Sequence, residues 1–254
     1  MVQQLQPENI SKVDIIYPDS DGQPMADNTK QFRWIVTIKE NLEILFASRN
    51  DVFVAGDLLW YPLQGDNKVR QAPDVLVVFG RPKGDRGSYQ QWQENNIPVQ
   101  VVFEILSPGN TLKEMAKKLK FYEHYGVEEY YIYDPDKIDF TGYLRSGESL
   151  EVIEEISNWV SPLLGIRFDL TPNTLEIYYP DRRKFLSSVE IDALRQQEFQ
   201  RAEQEFQRAE QESQRAEQEC QQKEEALQQL EAEQQRYQEL LARLQAKGIN
   251  PNSF

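Results

Sequence analysis

Between Phe199 and Glu219 the chain repeats nearly the same seven residues three times, as FQRAEQE, FQRAEQE and SQRAEQE. The weaker copies CQQKEEA and LQQLEAE carry the period further. An apolar residue every third and fourth position cannot serve a β-strand, whose side chains alternate; it specifies a long helix with a narrow stripe that seeks another helix. With Phe199 at heptad position a, Phe206, Ser213, Cys220, Leu227 and Leu241 also fall at a. Position d receives Ala202, Ala209, Ala216, Leu230, Tyr237 and Leu244. From Phe199 to Leu244 such a helix runs roughly 70 Å at 1.5 Å per residue. Gly248 and then Pro251 are its expected stop.

The seam is imperfect, because Ser213 and Gln234 stand at a, and Lys223 and three alanines at d. Homo-oligomerisation is the favoured reading; the alternative is a solvated single helix supported by intrahelical charge pairs. In a parallel, in-register dimer Cys220 would lie beside its mate, as a free thiol in a reducing cytoplasm.

The repeat divides the chain into a globular part, residues 1–194, and a coiled-coil tail, residues 195–254. The tail explains why hydrophobic residues make up only 39% of the 254. It holds 8 basic and 12 acidic side chains out of 28 and 42, leaving 20 and 30 in the globular part, a net of −10. Such acidity argues against bulk attraction to phosphate backbones. A single cysteine excludes an internal disulfide framework, and the single histidine, His124, excludes a zinc site of several His and Cys ligands. No apolar run approaches the ~20 residues that span a membrane. MVQQLQPENI does not read as a signal peptide, so a cytoplasmic protein is expected.

Within the globular part, residues 31–47 place Trp34, Ile35, Ile38, Leu42, Leu45 and Phe46 at helical spacing. Short apolar runs follow at 52–61, 75–79 and 99–106. TLKEMAKKLKFYEHYG is helical again, with Thr111 and Glu114 spaced as a capping box and Gly126 as C-cap. Strands are expected at 130–134 and near 138–145, 150–156, 165–169 and 174–179. This order gives an α/β fold, with a mixed central β-sheet and few flanking helices. The polar stretch 80–97 reads as an exposed loop beside the site.

Two acids stand in surroundings wrong for surface carboxylates. Asp74 precedes the five apolar residues of VLVVF, and Glu104 lies inside VQVVFEIL. A carboxylate there must be paired, hydrogen-bonded or bound to metal. Asp74 alone could equally be a turn residue after Pro73; Glu104 could be a salt-bridged or outward-facing strand position. On the following helix Thr111, Met115, Lys118 and Tyr122 form one row, which puts Lys118 on the sheet-facing side, as a site residue or as a lysine snorkelling at the core's edge. Lys113, Lys117 and Lys120 point elsewhere. With Arg81, Lys83 and Arg86 they could form a local basic track. Two carboxylates and a lysine suit metal-assisted phosphodiester hydrolysis, because hard oxygens hold Mg²⁺ and a cation can orient water or stabilise phosphate charge. Glycosidases also pair carboxylates, but no sugar platform is visible.

APDVLVVF, VVFEILSPGNT and KKLKFYEHYGVEEYYIYDPD together resemble a bacterial restriction-endonuclease family of the PD-(D/E)XK nuclease superfamily, long labelled a domain of unknown function. The similarity runs from about Tyr17 to Pro180, and the charged heptad tail beyond it also resembles that of many members. It implies a restriction-endonuclease-like core and a Mg²⁺-dependent DNA endonuclease, with Mn²⁺ as a possible substitute. Pro73–Asp74 matches the PD of the motif and Glu104 its second acid, so the resemblance makes Asp74 and Glu104 metal ligands. The motif lysine would fall at 106, where this chain has Leu106; the resemblance moves that lysine to Lys118. Family members also use a polar or acidic group from the first helix, but Glu40 and Glu43 fall off its apolar stripe and neither is assigned. DNA binding is expected to be weak and salt-sensitive. The alternative is a catalytically degenerate, nuclease-fold interaction module assembled through its coil, which Leu106 and the domain charge favour and the intact acid pair disfavours.

Overall fold

The computed structural model describes residues 15–20, 22 and 26–246. The helix stop expected at Gly248 and Pro251 lies outside the described residues, as does the N-terminal decapeptide. Two compact units divide the chain, Met1–Val189 and Glu190–Phe254.

In the first unit, α1 (Thr29–Leu45) starts where Asn28 accepts hydrogen bonds from the Lys30 and Gln31 amides, the usual work of an N-cap. It buries Ile35, Ile38 and Leu42, the stripe read from the spacing. The strands β1 (Val52–Gly56), β3 (Val75–Phe79), β5 (Val101–Ile105), β6 (Glu129–Asp134), β7 (Asp139–Ser146) and β8 (Ser149–Val152) form one six-stranded sheet in the order β1-β3-β5-β6-β7-β8. Short β2 (Trp60–Tyr61) and β4 (Tyr89–Gln90) pair with each other, as do β9 (Arg167–Leu170) and β10 (Leu175–Tyr178). The central sheet is mixed because β5 and β6 run parallel while their neighbours are antiparallel. A parallel pair requires a crossover, and α2 (Leu112–His124) supplies it. Thr111 caps α2 by accepting from the Glu114 amide. Gly126 just past its end takes φ of +87°, a left-handed conformation that glycine adopts without strain.

Both faces of the sheet are covered. Alternate residues Val75, Val77, Val101, Phe103 and Ile105 pack with α1 and the β9–β10 hairpin. The opposite set, including Leu76, Val78, Val102 and Tyr130, packs with Tyr122 of α2. That is why β5 is buried along its whole length, instead of alternating. A carboxylate far from this centre shows how burial is tolerated. Glu129, fully buried at the start of β6, accepts from the Leu163 amide at 2.7 Å, from Tyr131 Oη at 2.9 Å and from Ser161 Oγ, and so fastens the 161–163 segment to the sheet.

The stretch 80–97 departs from the expected exposed loop. Tyr89 is buried in the α2-side core, and Arg81 and Arg86 both bind Glu94, at 2.6 and 2.7 Å. Arg86 also lies 4.0 Å over the Phe53 ring, and Lys83 donates to the Phe46 carbonyl. These cations are spent on holding the segment and do not extend a basic track. The described part of the second unit belongs to α3 (Ser188–Ala246), a continuous 59-residue helix that starts two residues before the unit boundary. Among the described residues no helix is long and apolar enough to cross a membrane.

Candidate functional site

The acids 30 positions apart in sequence meet through sheet register. Val75 pairs with Phe103 in the antiparallel β3–β5 ladder. Continuing that ladder by one residue sets Asp74 opposite Glu104, on the same face as Leu76 and Val102. The Asp74 Oδ2 atom accepts the Ile105 amide hydrogen at 2.6 Å, which fixes the carboxyl across the strand end. Glu104 is 2% exposed and Asp74 8%. From the covering helix, Lys118 Nζ donates to Glu104 Oε2 at 2.8 Å, and Tyr122 Oη donates to Oε1 at 2.5 Å. Positions 118 and 122 are one helical turn apart, so both reach the same carboxylate. The structure therefore brings Asp74, Glu104 and Lys118 together, while Lys113, Lys117 and Lys120 are exposed on the outside of α2.

The electrostatics follow from the crowding. Burial, then the neighbouring Glu104 charge, push Asp74 from an ordinary 3.8 to about 8. Burial would lower the Lys118 ammonium, but the Glu104 and Asp74 charges outweigh it and hold it above its ordinary value. Tyr122 is raised well above the usual phenol range by burial and by Glu104, and so remains a hydrogen donor. Beside it, Tyr130 Oη is buried without a hydrogen-bond partner among the described residues.

Three participants escaped the reading of the sequence. Tyr122 stood in the right row but carried no assigned role. Asp57 contributes to raising Asp74, and it holds φ of +48°, a conformation costly for a non-glycine residue. Gln31 donates its amide to the Ile105 carbonyl at 2.8 Å. The signal for Gln31 was present: it precedes Ile35 by one turn, a polar residue on an apolar stripe. Glu40 and Glu43, by contrast, are occupied with Lys39 at 3.1 and 2.9 Å.

Among the described residues no group of three or more His, Cys, Asp or Glu is arranged to hold a metal. A closed structural site of the zinc type is thus absent there. Mg²⁺ is different: it keeps several waters and takes one or two carboxylates plus substrate phosphate. Two facing carboxyls, one of them raised by burial and then by the other's charge, fit that donor set. A divalent ion held by these residues would offset the part of the Asp74 shift that comes from the Glu104 charge.

A buried pair of acids across a mixed sheet, with a helix-borne ammonium on one of them, defines a class of α/β proteins with a carboxylate–lysine centre. The family described as "Uma2: Putative restriction endonuclease" matches residues 17–173. The chain belongs to that family. A search of curated proteins found no match. Among solved structures, the chain is similar to "a putative nuclease belonging to DUF820" from Anabaena variabilis, at 18% identity and a TM-score of 0.42, covering 56% of this chain and 76% of that one.

Proposed function

We propose that this protein is a metal-dependent endonuclease that hydrolyses DNA phosphodiester bonds, with residues 1–194 as the nuclease domain. The observation that carries the reading is Asp74 facing Glu104 with the Lys118 ammonium 2.8 Å from the latter. The family's description supplies the reaction class. Asp74 and Glu104 would hold Mg²⁺, or Mn²⁺ in its place. When bound, such an ion supplies Lewis acidity toward phosphate and a water of lowered pKa.

The chain's own residues do the rest. To serve as a ligand Asp74 would have to give up the proton that burial and the Glu104 charge favour. The Ile105 amide and the Tyr122 hydroxyl fix the two carboxyls, so that neither must reorganise during the reaction. Lys118, held protonated, is not a general base; its ammonium positions water or a phosphate oxygen and offsets charge developing there. With a net of −10 on this domain and the 80–97 arginines occupied, DNA affinity rests on a small local set of lysines and is weak and salt-sensitive. The lone exposed thiol of Cys220 suits a reducing cytoplasm, where we place the protein. That α3 is a coiled-coil strand belongs to the same proposal, with the charge along its flanks deciding the partner.

The test is plasmid nicking with Mg²⁺ or Mn²⁺, comparing wild type with Glu104→Ala. The variant should lose cleavage, and unchanged cleavage would sink the site. One observation favours a second reading, the catalytically degenerate interaction module: both Glu104 oxygens already have donors. Calorimetric titration with Mn²⁺ separates the two. Binding that disappears in Glu104→Ala supports the nuclease, and no binding to wild type supports the module.

A further inference from the structure

Helix α3 carries its apolar stripe uncovered: Phe199 and Phe206 are each 70% exposed, and Leu227, Leu230 and Tyr237 are exposed as well. What could cover that stripe is restricted by the residues beside it. In a two-stranded coiled coil the e and g positions flank the seam and meet their counterparts across it. With Phe199 at a, every e position from Glu203 to Glu231 is glutamate. So is every g position from Glu198 to Glu219, and Glu233 follows after Ala226.

A second copy of this chain would therefore set acid against acid. In a parallel pair g meets the next e of the partner, so Glu205 faces Glu210 and Glu212 faces Glu217. In an antiparallel pair e meets e and g meets g, again glutamate on glutamate. The helix supplies little relief of its own. Arg201, Arg208 and Arg215 stand at c, one turn before the g glutamates Glu205, Glu212 and Glu219. The e glutamates have only Phe, Ser, Cys, Leu and Gln three and four residues away. From Phe199 onward no ion pair forms among the described residues of α3. Like charges facing across a seam disfavour pairing, and opposite charges select partner and register.

We infer that α3 is one strand of a heterotypic coiled coil, whose partner is a helix with apolar a and d residues flanked by Lys or Arg at e and g. This goes beyond the catalytic reading and does not depend on it, since α3 contributes no residue to the Asp74–Glu104 pair. The same flanks suppress homotypic association, so the homo-oligomer suggested by the heptads gives way to a mixed pair.

The experiment uses the full-length chain at physiological salt, with two synthetic helical peptides of identical a and d residues, one with Lys and one with Glu at e and g. A scrambled version of the Lys peptide controls for simple attraction to an acidic protein. Sedimentation should show a monomeric chain. The Lys-flanked peptide should bind tighter than its Glu twin by on the order of tenfold to a hundredfold in Kd, and the scrambled peptide should bind weakly. Phe199→Gln/Phe206→Gln, which leaves every charge in place, should abolish binding of the Lys peptide. A stable homodimer of the chain, equal affinity for the Lys and Glu peptides, or equal affinity for the scrambled one would each overturn the inference. Should the double variant lose its helix by circular dichroism, the comparison among the three peptides on wild type still decides.

Discussion

Asp74→Asn preserves the size of the side chain and an oxygen able to accept the Ile105 amide hydrogen, but it cannot carry charge. Its effect on stability follows from where the Asp74 proton sits. Burial and the Glu104 charge raise this carboxyl from 3.8 to about 8 in the folded protein. Between those values the folded chain binds a proton that the unfolded chain has released, so stability falls as pH rises. The contribution is full below the unfolded value and is lost progressively up to the folded one. Each unit corresponds to about 1.36 kcal/mol, which over roughly four units sets a ceiling of about 6 kcal/mol. Asparagine escapes this loss. The variant should therefore exceed wild type by at least about 2 kcal/mol near pH 8 and show little advantage near pH 4. Urea unfolding followed by tryptophan fluorescence, repeated across that range, measures the difference directly. Taking the difference between the two proteins cancels the titrating groups that do not interact with Asp74, leaving Asp74 and the Glu104, Lys118 and Asp57 charges coupled to it. A difference that stays flat with pH, or shrinks as pH rises, would refute the reasoning. Mn²⁺ should stabilise wild type by mass action and leave the variant less affected.

Other outcomes follow from the same geometry. Lys118→Met should lower nicking by on the order of a hundredfold, as loss of one preorganised donor does. Lys118→Arg should restore part of it, because the role assigned is that of a permanent cation; equal activity of wild type and Lys118→Met in a plasmid assay would remove Lys118 from the site. Glu129→Ala should destabilise the fold by about 3 kcal/mol, since it leaves the Leu163 amide and the Tyr131 and Ser161 hydroxyls buried without their acceptor. It should leave calorimetric Mn²⁺ binding intact, because Glu129 is not one of the paired acids.

Local patterns in the sequence carried the elements. The Ile35–Ile38–Leu42 spacing, the Thr111 cap and the Gly126 stop specify α1 and α2, because these signals act within one or two turns of chain. The site was half legible. A glutamate in an apolar strand, and a lysine in a helical row with Met115 and Tyr122, are anomalies visible without any fold. The roles of Tyr122 and Gln31 were less so: a tyrosine on an apolar row looks like packing until its hydroxyl is seen on Glu104. The arginines of 80–97 misled for the converse reason. Nothing local reveals that Glu94 folds back to bind both Arg81 and Arg86.

The heptad tail is where sequence alone reached furthest. Periodicity fixed a long helix, and residue identities at e and g fixed the sign of the charge beside its stripe, because both depend on spacing along a single helix. The meeting of Asp74 with Glu104 was decided by tertiary structure, since only the antiparallel register of β3 on β5 places residues 30 apart side by side. Their burial, and the shift to about 8 that it imposes on Asp74, required α2 to close over the face of the sheet that carries them. Desolvation is a property of what surrounds a carboxyl, and the chain acquires those surroundings only when it folds.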